Sequence, residues 1–197
     1  MTCDIRLACW LLIAAAIMLE NSPRAALATV PSVSSSDAGI VRVSDGARHA
    51  DPELEAVLPT SLGGVALTVE SQAGTDLTTK SDAFDAFLNS LGKTRADFSV
   101  ASAYTTGGLR AEIGAWRVKG ADPTLMLQGF KAALQASSTT PLTQAEESLA
   151  GRPITRIGDP GQLAHGPLYV VERGDMLLFV QTPDPALAEE AISKLPK

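Results

Sequence analysis

Residues 168–191 read LYVVERGDMLLFVQTPDPALAEEA. Two apolar runs, Leu168–Glu172 and Met176–Gln181, flank Arg173-Gly174-Asp175. Tight hairpin turns favour Gly and Asp at their tips, because these residues tolerate positive φ. The stretch therefore predicts an antiparallel hairpin. Asp184-Pro185-Ala186-Leu187 follows it. An aspartate carboxylate accepts from the unpaired N–H groups of a first helical turn, and proline fits the first helical position. A helix is predicted from Pro185 to near Leu195. A hairpin with a helix returning onto it sets the fold class as α+β.

The same phrase recurs upstream. Asp122-Pro123-Thr124-Leu125 opens a predicted helix that runs to about Gln135. It follows a second predicted hairpin, Phe98–Thr105 and Arg110–Lys119, with Thr106-Gly107-Gly108 at the tip. Gly129 weakens that helix by about 1 kcal/mol relative to Ala and points to close packing on a strand. A third copy, Asp51-Pro52-Glu53-Leu54, predicts a short helix closed by Pro59, with no hairpin before it. Between these lie a strand at Val65–Glu70 and a helix from Ser81 or Asp82. In that helix Phe84, Phe87, Leu88 and Leu91 recur at helical spacing, and Gly92 closes it. Arg152–Ile157 predicts a strand, and Gly158-Asp159-Pro160-Gly161 a turn.

Two internal matches suggest duplicated strand–hairpin–helix halves at about 60–136 and 147–197. Ser61–Thr68 aligns with Ser148–Thr155 at an offset of 87, and Val118–Leu125 with Val180–Leu187 at an offset of 62. The expected architecture is an antiparallel sheet of about six strands with helices mainly on one face and a pseudo-two-fold between the halves.

Leu7–Leu19 (LACWLLIAAAIML) is an uncharged apolar run, followed by Ala26-Leu27-Ala28. It is shorter than the ~20 residues a spanning helix needs. Residues 1–28 read as a cleaved signal peptide and imply an extracytoplasmic, cell-envelope location. Left uncleaved, the segment would tether the chain to a membrane. Residues 29–50 read as a flexible linker, with a short strand at Ile40–Val43 as an option, and 51–197 as one domain. Both cysteines, Cys3 and Cys9, fall inside the signal segment. The mature chain then has no thiol for a disulfide, a metal or a nucleophile. Sixteen Lys and Arg stand against 22 Asp and Glu, a net charge of −6, with no basic cluster. Nucleic-acid binding needs several basic contacts on one surface and is excluded as an expectation.

The chemistry-bearing residues are sparse. The two histidines, His49 and His165, lie in the linker and in the loop before Leu168. Both read as solvent-exposed. Glu146-Glu147 and Glu189-Glu190 read as solvated surface pairs, since neighbours do not face each other on a helix. Gly63-Gly64 and Gly107-Gly108 lack the Gly-Lys-Ser/Thr sequel of a phosphate loop. Arg173-Gly174-Asp175 reads as a turn and not a receptor tripeptide. No catalytic, metal-ligating or cofactor-binding residue is assigned, and no cofactor is called for.

Met176–Val180 and Leu168–Val171 are apolar on both faces, as are Ile113, Ala115, Trp116 and Val118. A sheet covered on one side should alternate, so these strands need a second cover. The candidates are a helix of this chain or, through an apolar sheet face, a homodimer or another protein.

Three phrases carry a resemblance: Leu62-Gly63-Gly64, Phe87–Lys93 and Arg117–Asp122. With Gly174-Asp175, Phe179-Val180 and Asp184–Ala191 they resemble exported bacterial α+β proteins without an assigned activity. The resemblance covers Asp51–Pro196 and carries over no functional residue. The function expected is an exported non-catalytic binding or assembly module. The alternatives are an extracytoplasmic hydrolase using carboxylates, with His165 assisting, and a structural or chaperone-like envelope component.

Overall fold

In the computed structural model, which describes residues 48–77, 82–105, 110–138, 140–159, 163 and 165–196, the predicted hairpins meet in mid-sheet. The signal segment, both cysteines and the linker up to residue 47, with Ile40–Val43, lie outside the described residues, as do Ser81, Thr106-Gly107-Gly108 and Pro160-Gly161. The elements are α1 (Pro52–Glu55), β1 (Ser61–Leu62), β2 (Val65–Ala66), β3 (Thr68–Ala73), α2 (Asp82–Ser90), β4 (Phe98–Tyr104) and β5 (Glu112–Val118). Then come α3 (Pro123–Ser137), β6 (Gln144–Leu149), β7 (Arg152–Ile157), β8 (Leu168–Arg173), β9 (Met176–Gln181) and α4 (Pro185–Lys194). Seven strands form one antiparallel sheet in the order β3-β4-β5-β9-β8-β7-β6. The α+β class and antiparallel sheet are as expected.

All three Asp-Pro phrases cap helices. Asp51 accepts from the Leu54 N–H at 3.0 Å, Asp122 from Thr124 at 2.8 Å and Asp184 from Ala186 at 2.9 Å. Gly92 ends α2 at a φ of +69°, with its N–H on the Asn89 carbonyl and the Lys93 N–H on that of Leu88. This double bond pattern satisfies the last carbonyls of the helix.

The distribution of helices corrects the expectation that they lie mainly on one face. Phe84 and Leu88 of α2 and Met126, Leu127, Phe130 and Leu134 of α3 pack on Phe98, Trp116, Val118, Val170, Leu177 and Phe179. Leu54, Val57, Leu58, Ala188, Ala191 and Ile192, from α1, its exit and α4, pack on Ala101, Ile113, Ala115, Val171, Leu178 and Val180. The molecule therefore has three layers. The physical reason is the doubly apolar central strands, whose second face is covered by this chain's own helices. Trp116 anchors the first core, edge-on to Phe84, Phe98, Phe130 and Phe179.

The expected two-fold stops at the helices. β5 pairs antiparallel with β9, with Trp116 opposite Leu177. Opposed residues share a face, so only an axis normal to the sheet exchanges the two strands, and such an axis preserves faces. The 62-residue offset instead takes Val118 to Val180, and these valines lie in opposite cores. The helix capped four residues after each valine follows its valine, so α3 and α4 cover opposite faces.

The 87-residue match also has a local origin. Gly63-Gly64 links β1 to β2, and Ala150-Gly151 links β6 to β7, each with two positive φ angles. Both are type I′ hairpins. The first closes a separate two-stranded sheet; the second closes the rim of the main sheet. The predicted Val65–Glu70 strand is split accordingly, where the Leu67 N–H turns to the Thr60 carbonyl. β6 was not expected as a strand and is the seventh.

Candidate functional site

One rung of side chains crosses the sheet on the α2–α3 face. Thr68 lies opposite Tyr104, Glu112 opposite Gln181, Gln181 opposite Leu168, and Leu168 opposite Ile157. The chemistry changes along it, from apolar at Ile157 and Leu168 to polar at Gln181, Glu112, Tyr104 and Thr68. The next rung places Glu70 opposite Ser102, and Ser102 opposite Gly114. A polar corner thus sits beside the aromatic core, built from the ends of β3, β4, β5 and β9.

Glu112 and Gln181 form its centre. As direct cross-strand partners their Cβ atoms stand roughly 5 Å apart. Gln181 is 4% exposed, yet its Oε1 has no hydrogen-bond partner among the described residues. Its Nε2 donates to the Gly166 carbonyl at 3.1 Å. That bond fixes the amide orientation, since a flip would face one acceptor with another. Gly166 is delivered there by a tight approach: its φ is +91°, and a Cβ would come within 2.5 Å of the Pro183 nitrogen. The fully buried Thr182 ties the ends of β5 and β9 together, its hydroxyl donating to the Arg110 carbonyl at 2.7 Å. Glu112 Oε2 is likewise buried without a partner, while Oε1 lies 3.9 Å from Nδ1 of His165. The Glu112 side chain is 26% exposed and that of His165 54%, so the corner opens to solvent on their side. Further along, the Tyr104 hydroxyl donates to Glu70 at 2.6 Å, and Glu70 pairs with Arg48 at 3.5 Å.

A second polar cluster lies on the opposite face. Asp51 accepts from the Ser99 hydroxyl at 2.5 Å and from Arg117 at 3.3 Å. Arg117 also reaches Glu53 at 3.1 Å and Asp175 at 3.5 Å, and Asp175 accepts from the Gly120 N–H at 3.0 Å. Burial pushes the Asp51 carboxyl up. The Ser99 hydroxyl, the Leu54 N–H and the Arg117 guanidinium outweigh it and hold the group below its ordinary range. This cluster is a clamp: it ties α1 to β4, β5 and the β8–β9 tip, and its carboxylates are engaged.

Ser71, Glu55 and His49 contain the residue types of a hydrolytic triad in the wrong order. The Ser71 hydroxyl donates to Glu55 at 2.6 Å and accepts from the Asp51 N–H at 2.7 Å. His49 Nδ1 contacts both oxygens of the same carboxylate, at 3.1 and 3.0 Å. A base must take the nucleophile's proton directly, and this hydroxyl is buried and doubly bonded. Neither histidine holds a hydroxyl among the described residues.

The structure thus separates the residues singled out from sequence. His49, expected in a flexible linker, is docked: the Ser71 N–H donates to the Arg48 carbonyl at 2.8 Å and His49 bridges to β3. His165 is exposed in a turn, as expected, and meets Glu112. Glu146 and Glu147 lie on a strand, not a helix, and point to opposite faces, toward Lys131 and Thr155 and toward Arg156. Glu190 of the Glu189-Glu190 pair accepts from the Gly63 N–H at 3.1 Å and from Lys194 at 2.6 Å. Gly174-Asp175 is the β8–β9 tip, with Arg173 opposite Met176. Sequence reasoning missed Glu112 and Gln181. The available signal was parity: both fall in phase with buried aromatic residues, Trp116 and Phe179.

The chain matches no family model, no curated protein and no solved structure. Among the described residues no three His, Asp or Glu side chains converge to hold a metal ion. The corner offers two unfilled acceptor oxygens and an adjacent imidazole, an arrangement suited to receiving hydrogen-bond donors.

Proposed function

We propose that the chain is an exported, non-catalytic binding module whose ligand engages the Glu112–Gln181 corner. Export is supported by the apolar Leu7–Leu19 segment and the small-residue motif after it. Binding is supported by one observation above all: two buried acceptor oxygens, on side chains directly opposed across β5 and β9, have no partner among the described residues. An unpaired buried polar group costs about 1–3 kcal/mol, and a donor group of a ligand relieves that cost. In a thermal-shift panel of small polar molecules, the ones that raise the melting temperature are expected to be N–H or O–H donors and not pure acceptors. Glu112→Ala, with unchanged far-UV circular dichroism, is expected to abolish the rise. Stabilisation that survives Glu112→Ala would move the ligand away from this corner.

The contact between His165 and Glu112 favours a second reading, a carboxylate-dependent hydrolase. A carboxylate beside an imidazole can share a proton during bond cleavage. Screening ester, amide and glycoside substrates separates the two. The binding reading expects no turnover; turnover abolished by His165→Ala would favour the hydrolase.

A further inference from the structure

Building on the binding reading, we infer that the ligand group at this corner is a cationic nitrogen carrying N–H donors, a protonated amine or a guanidinium. Both unfilled atoms, Glu112 Oε2 and Gln181 Oε1, are acceptors. The Gln181 amide nitrogen spends one of its two N–H donors on the Gly166 carbonyl, which turns Oε1 away from that carbonyl. The corner therefore offers lone pairs and asks for protons. A ligand acceptor such as a phosphate or carboxylate would be repelled.

Charge narrows the class further. Glu112 is a carboxylate, and the neighbouring rung adds Glu70. Glu70 is already matched to Arg48 and Tyr104, whereas among the described residues Glu112 has one basic side chain within 4 Å, His165, 3.9 Å away and half in solvent. A charge-assisted hydrogen bond is about twice as strong as a neutral one, and a donor bridging Glu112 to Gln181 gains both kinds. Gln181 is more deeply buried than Glu112 and His165, so a cation arriving from solvent meets these two side chains before the amide oxygen. The shared chemistry admits two sources: a free small amine or guanidine, or the Lys or Arg side chain of a peptide.

The test is NMR titration of the full-length protein, following the Gln181 side-chain amide resonances. The probes are butylammonium, methylguanidinium, tetramethylammonium, acetamide, and the N-acetyl amides of lysine and arginine. Butylammonium and methylguanidinium are expected to give saturable shifts. Tetramethylammonium, a cation without N–H, and acetamide, a neutral donor, are expected to give none. Glu112→Gln, which keeps the shape, is expected to weaken the cations about tenfold, the scale of one lost charge-assisted bond. Tighter binding of the amino-acid amides than of the simple cations would assign the group to a peptide side chain; weaker binding would assign it to a free small molecule. Either order sustains the inference. Acetamide binding as well as butylammonium would overturn the cation and leave the binding reading standing. If no probe shifts Gln181 while its wild-type resonances remain sharp, both fall. A crystal structure with an ordered water bridging Glu112 Oε2 and Gln181 Oε1, undisplaced by butylammonium, would also overturn the inference.

Discussion

Asp51 and Asp184 start helices with the same kind of hydrogen bond, yet their removal is expected to cost different amounts. Asp184 is a cap alone, and Asp184→Ala should lose about 1 kcal/mol in urea denaturation. Asp51 also holds the Ser99 hydroxyl and Arg117 at a buried position, so Asp51→Ala should lose at least about 1 kcal/mol more. Equal losses would mean that the clamp contributes nothing. The pH dependence has a definite sign. The folded Asp51 carboxyl lies below its ordinary value of 3.8, so its stabilisation is present above that value and disappears as pH falls through the folded value. The urea midpoint of the native chain should therefore drop below about pH 4, and Asp51→Asn should flatten part of the drop. Ala150 is the single described non-glycine residue at positive φ, +52°, in a turn that prefers Asn-Gly. Ala150→Asn should raise stability by about 0.5–1 kcal/mol; a loss would mean that the turn depends on the alanine methyl.

At the scale of elements, the Asp-Pro helix starts and the Gly174-Asp175 tip are readable because their causes are local, whereas the Gly63-Gly64 and Ala150-Gly151 tips escape a sequence reading. A cap needs one carboxylate beside one proline, and a tip needs one or two residues free to take positive φ. β6 was not readable for the converse reason. Gln144–Leu149 is largely polar and exposed, shows no sustained alternation, and is held by its ladder to β7. Its Glu146 and Glu147 suit an outer strand, where charge discourages pairing with another chain. The close packing expected at Gly129 is present, but its neighbour is Phe87 of α2 and not the expected strand. An added Cβ would overlap the Phe87 ring. Gly129→Ala should therefore destabilise by about 1–3 kcal/mol despite its better helix propensity. Adding Phe87→Leu should recover part of that loss; a Gly129→Ala variant more stable than the native chain would contradict the packing.

For the whole molecule, the side on which each helix lies was hidden because it depends on register between β5 and β9, residues far apart in sequence. The corner was hidden for the same reason: Glu112 and Gln181 become neighbours only when these strands pair. Both sheet faces are covered from within, and Leu125, 51% exposed, is the one large apolar side chain left bare among the described residues. Light scattering should accordingly give the mass of one chain at micromolar concentration; a stable dimer would require a surface other than the sheet faces. The register carries a broader lesson about reuse. Had the strand–helix phrase returned in step, both of its helices would have landed on one side, leaving the other to α1 alone. Returning half a pleat out of step, the second use roofs the side the first left open. The second face receives its helix through a matter of odd and even counting, with the Asp-Pro-x-Leu phrase kept.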